Sequence, residues 1–66
     1  MKYNRRKAEN WYLDTFGTDI DPSVFRIADK CADLDALYEK CGNPENDYRD
    51  AEISAGEYDA IEYAAG

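Results

Sequence analysis

Apolar residues recur at helical spacing in several stretches of the chain. Ala8, Trp11, Tyr12, Thr15 and Phe16 follow the 3.6-residue period, with Arg6, Glu9, Asn10 and Leu13 on the opposite side. Asn4 is placed to cap this first helix, which runs from Arg5 to about Phe16, and Gly17 to stop it. After the connector Gly17–Asp21, the pair Asp21-Pro22 combines a capping acid with proline at the first helical position. Val24, Ile27, Ala28, Cys31, Leu34, Tyr38 and Cys41 then fall on one arc, with Arg26, Asp29, Lys30, Asp33 and Lys40 on the other. This pattern favours one unbroken helix up to Cys41, ended by Gly42. Asp35 intrudes on the apolar arc, which leaves open an interruption near Asp33–Asp35 with one aspartate capping a second short helix.

Asn43-Pro44 repeats the cap-plus-proline signal and predicts a further turn or helix. Tyr48, Ala51 and Ala55 form a sparse helical stripe, while Ala51, Ile53 and Ala55 also alternate with period two, so a short strand competes there. Ser54-Ala-Gly-Glu57 has capping-box spacing and opens a terminal helix with Tyr58, Ile61 and Ala65 facing inward. The predicted fold is one all-α domain over residues 1–66, a small bundle of three or four short helices with antiparallel neighbours. Its expected core is Trp11, Phe16, Ile20, Val24, Ile27, Leu34, Tyr38 and Ile61. A strand pair near Ile53 would make it α+β instead.

Composition narrows what such a bundle can be. Leu, Ile, Val and Phe supply only ten of 66 residues, which with 35% charged residues borders on a disordered composition. Trp11 and six tyrosines compensate in part, because each ring can bury roughly 150–250 Å². No apolar run approaches the ~18–20 residues needed to span a bilayer, and no apolar region follows the basic start, so we expect neither membrane insertion nor a signal peptide and place the chain in the cytoplasm. In that reducing setting Cys31 and Cys41 read as small buried hydrophobes.

The candidate chemistry is thin. With no histidine the chain lacks the commonest general base and zinc ligand, and Ser23 and Ser54 have no such partner to activate them. Asp19/Asp21 and Asp33/Asp35 lack the repeat and distal glutamate of a calcium loop. We therefore expect no enzymatic activity, no metal and no cofactor. Lys2, Arg5, Arg6 and Lys7 beside Tyr3, Trp11 and Tyr12 have the flavour of a nucleic-acid site, but the net charge of -7 opposes a polyanion, and direct nucleic-acid binding is not expected.

What remains is the acidic surface. Beyond the first seven residues, four cations face all fifteen acids. Asp29 and Asp33, like Asp35 and Glu39, are spaced i,i+4, and Asp47, Asp50, Glu52, Glu57, Asp59 and Glu62 form a second cluster. Carboxylates one helical turn apart are spaced by ~6 Å, similar to backbone phosphates, and such a surface is steered onto a basic groove. A tiny, histidine-free, tyrosine-rich acidic chain with carboxylate rows resembles the phage-encoded DNA mimics, which include anti-restriction and anti-CRISPR proteins. The resemblance is compositional and covers mainly residues 29–62; the basic Lys2–Lys7 segment departs from it.

That resemblance implies a non-enzymatic inhibitor whose acids replace phosphates in the basic channel of a bacterial defence complex. The residues expected to carry it are Asp29, Asp33, Asp47, Asp50, Glu52, Glu57, Asp59 and Glu62, with Tyr48 and Tyr63 as flat amphipathic contacts. The partner would be a basic nucleic-acid-binding protein, and the chain itself a monomer or a homodimer. The alternative is a small helical adaptor that binds one protein partner through its apolar and tyrosine face.

Overall fold

A computed structural model describes residues 1–42 and 49–66. Among the described residues there are four helices and no strand: α1 (Arg5–Phe16), α2 (Ser23–Asp29), α3 (Leu34–Tyr38) and α4 (Ala55–Ala65). The expected all-α bundle is observed. The turn or helix expected at Asn43-Pro44 lies outside the described residues.

The ends of α1 and α4 are those the sequence marks. The Asn4 side chain accepts from the Lys7 amide, and Gly17, at φ 76°, closes α1 in the left-handed conformation with its N–H on the Leu13 carbonyl. At α4 the capping box is complete: Ser54 Oγ accepts from the Glu57 amide and the Glu57 carboxylate accepts from the Ser54 amide. Asp21 caps α2 by accepting from the Ser23 amide at 2.9 Å, which lowers its own pKa below the ordinary value.

The long helix expected from Pro22 to Cys41 is not continuous. α2 stops at Asp29, and Asp33, in an extended conformation, starts α3 by accepting from the Ala36 amide at 2.9 Å. The cause is a competition for the backbone. An aspartate offers the next turn's amides a carboxylate in place of helical carbonyls, so it favours a cap over a helix interior. The break turns the second segment, so that Leu37 rather than Tyr38 enters the core.

α1 and α4, the first and last helices, form the main pair. They run antiparallel: the Asn4 amide donates to the Ala64 carbonyl at one end, and the Phe16 ring lies against Gly56 at the other. Antiparallel packing is thus seen between the first and last helices, which are distant in sequence. The core comprises Ala8, Ile20, Val24, Phe25, Ala28, Cys31, Leu37, Cys41, Ile53, Ala60, Ile61 and Ala64. Small residues dominate it, which lets short helices approach closely. Phe16 (49% exposed) and Tyr38 (40%) are surface residues instead of core, and Trp11, Ile27 and Leu34 are half-buried. Phe25, absent from the expected core, is buried under Tyr3, whose ring stacks on it at 6.1 Å. The strand alternative near Ile53 shrinks to a single parallel bridge to Cys41, with the Gly42 amide donating to the Ile53 carbonyl. Cys31 and Cys41 are both buried thiols, and burial raises the pKa of Cys41.

Candidate interaction surface

The expected acidic residues divide by what the fold does with them. Asp33 caps α3, and Glu57 is half-buried in the capping box of α4. Glu52 is salt-bridged to Lys40 at 3.1 Å, a contact that raises the lysine's pKa. Asp29 accepts a 2.9 Å hydrogen bond from the Tyr3 hydroxyl. Burial of that phenol, helped by the hydrogen bond to Asp29, pushes the Tyr3 pKa up to about 12. These four acids therefore serve local structure. Because Asp29 ends one helix and Asp33 precedes another, they do not form the i,i+4 row expected of an unbroken helix.

Asp50, Asp59 and Glu62 are exposed. Asp59 and Glu62, three residues apart on α4, share the face opposite the buried Ala60, Ile61 and Ala64. Asp47 and Tyr48 lie outside the described residues. Tyr63 is half exposed and stacks on Trp11 with ring centroids 6.0 Å apart.

The structure adds three residues to this face that the acid-counting argument did not single out as contacts. Tyr58 on α4 packs edge-to-face on Tyr38 of α3, with centroids at 5.4 Å. Burial raises the Tyr58 pKa, and the charges of Glu62 and Asp35 raise it further. Asp35 from α3 and Glu62 from α4 thus both lie close to Tyr58 of this pair. The signal for this in the sequence is the pairing of tyrosine with acid in Tyr58-Asp59 and Glu62-Tyr63 on α4, matched by Asp35 and Tyr38 on α3. It is legible only once the break at Asp33 fixes how α3 is turned.

Two of the cations rest on aromatic rings, and Lys2 lines a surface depression together with Asp33 and Asp35. The Arg5 guanidinium lies 4.4 Å from the Phe25 ring centroid, and the Lys7 ammonium 4.8 Å from that of Tyr63. Arg5 and Lys7, at the start of α1, are thus held against aromatic faces. Among the described residues no group of three or more His, Cys, Asp or Glu is placed to hold a metal ion, and no helix is long and apolar enough to cross a membrane. The depressions on the described surface, such as that lined by Lys2, Tyr3, Arg5 and Asp29, are open and shallow. Comparison of the chain with protein-family models, curated proteins and solved structures finds no match.

Proposed function

We propose that this chain is a non-enzymatic binding protein whose α3–α4 face stands in for nucleic-acid phosphates and occupies the basic nucleic-acid-binding surface of another protein. The reading extends to the anti-restriction or anti-CRISPR type of inhibitor, acting on a bacterial defence complex in the cytoplasm. The observation that carries it is the approach of Asp35 from α3 and Glu62 from α4 to Tyr58 of the Tyr38–Tyr58 pair, with Lys40 engaged by Glu52. Exposed carboxylates present paired acceptors to arginine, which grips them bidentately as it grips a phosphate. The half-exposed tyrosine edge supplies flat contact area next to them, as at other protein interfaces. The expected contact set is therefore Asp35, Tyr38, Tyr58, Asp59 and Glu62, with Asp50 as a peripheral charge.

The test is retention of partners from bacterial lysate on the immobilised chain at ~50 mM and ~500 mM salt, conditions on either side of the regime in which screening removes exposed-charge attraction. The proposal expects a nucleic-acid-binding complex held at low salt, released at high salt and displaced by added DNA. A partner held equally at both salts and indifferent to DNA would instead support the adaptor reading through the aromatic face.

A further inference from the structure

The α1–α4 seam carries a second surface, centred on the rings of Trp11, Phe16 and Tyr63. Tyr63 stacks on Trp11, and the Trp11 ring meets Phe16 edge-on, so three rings run in a continuous row from α4 to the end of α1. Tyr63 is 50% and Phe16 49% exposed, and Trp11 is half-buried. Along α1, Lys7, Asn10, Trp11 and Asp14 lie at i, i+3, i+4 and i+7 and so form one stripe beside this row. Lys7, Asn10 and Asp14 are exposed, and Lys7 reaches over Tyr63 from the same side.

This stripe is complementary to itself. If two copies of α1 pack antiparallel about a two-fold axis between Asn10 and Trp11, Lys7 of each meets Asp14 of the other, and the two Trp11–Asn10 pairs fill the middle. A two-fold interface uses the same patch on both copies, so each favourable contact occurs twice. The charge distribution points to the same region. Residues 1–17 carry four cations and two acids, whereas the rest of the chain carries four cations and thirteen acids. α1 thus lies outside the acidic body of the chain, and within it the reciprocal Lys7–Asp14 pairs set opposite charges against each other.

We propose that the α1 stripe Lys7–Asn10–Trp11–Asp14, with Tyr63 beside it, is the docking surface for a second copy of this chain, paired antiparallel through reciprocal Lys7–Asp14 contacts. One short helix face falls below the ~800 Å² per partner of a standard stable interface, so the dimer is weak and depends on concentration. It uses none of Asp35, Asp59 and Glu62.

The test is sedimentation equilibrium of the full chain at low salt over a concentration series, for the wild type, Lys7→Glu, Asp14→Lys and the double exchange, with helix content checked by circular dichroism. Both positions are exposed, and an acid in the first turn of α1 suits the helix dipole, so Lys7→Glu leaves the helix intact. The expected result is a wild-type dimer, a dissociation constant raised ~10-fold or more in each single variant, and restoration in the double exchange. An equimolar mixture of the two single variants is expected to form a heterodimer, because each then meets opposite charge at both contacts. A wild type that stays monomeric throughout, or single variants whose association is neither weakened alone nor restored by exchange and by mixing, overturns the proposal.

Discussion

The Phe16 ring occupies the space in which a side chain at position 56 would begin: a Cβ built on Gly56 stands 2.7 Å from the ring's Cζ. Glycine in the first turn of α4 thus lets the end of α1 close over the start of α4, and the Phe16 edge then meets Trp11. An alanine in a helix ordinarily gains about 0.5–1 kcal/mol over glycine. Here the gain is opposed by displacement of the ring. We expect Gly56→Ala to stabilise the Phe16→Ala variant more than the wild type, by about 0.5 kcal/mol or more, since the two sites are in contact. Urea unfolding of the four members of this cycle, followed by Trp11 fluorescence, measures the coupling. Equal effects in both backgrounds would show that the ring does not rest on Gly56.

Asp33 decides whether the chain between Pro22 and Cys41 is one helix or two. As an N-cap, its replacement by alanine costs about 1 kcal/mol, while asparagine, which keeps the acceptor, costs little. In a continuous helix alanine would instead be the better residue. Thermal unfolding of Asp33→Ala and Asp33→Asn therefore distinguishes the two structures by the sign of the alanine effect.

That residue also marks the limit of what could be read from the sequence. Local signals with their own backbone geometry were legible: Asn4 and Gly17 bounding α1, and Ser54 with Glu57 opening α4, because each satisfies amides or carbonyls within a few residues. The order of burial was not. Tyr38 and Leu37 are adjacent, and which of them turns inward depends on the break at Asp33. Phe25 was hidden for a related reason. It lies outside the apolar arc of a single long helix, and groups from the N-terminal segment, the Tyr3 ring and the Arg5 guanidinium, cover it. The candidate site was half legible. Asp59 and Glu62 stand out by spacing, whereas Asp35, Tyr38 and Tyr58 join them only through the contact between α3 and α4.

Tyr3 ties the N-terminal segment to α2 through its stacking on Phe25 and its hydrogen bond to Asp29. Its pKa is raised from 10.0 to about 12 by burial and by that carboxylate, so the folded state favours the neutral phenol. The corresponding stability is fully present below pH 10 and is lost as the pH rises from about 10 to about 12. We expect the wild type to lose more thermal stability across that window than Tyr3→Phe, whose ring still stacks but has no proton to lose. Melting curves at pH 9 and near pH 12 compare them, and parallel losses in both proteins would contradict the assignment.

The central claim is that the exposed carboxylates of the α3–α4 face, rather than acidity in general, make the contact. Glu57, Glu52, Asp33 and Asp29 are unsuitable probes, because their reversal would remove a cap, a salt bridge or the Tyr3 bond. The most direct measurement is low-salt retention of the DNA-displaceable partner on Asp35→Lys/Glu62→Lys, beside a control reversing Glu9 and Asp19, which lie in α1 and the loop after it. Both variants change the net charge equally, and helix content by circular dichroism shows that each remains folded. Loss of the partner by the α3–α4 variant with retention by the control is the predicted result. Equal retention by the two would contradict a phosphate-mimicking face on α3 and α4.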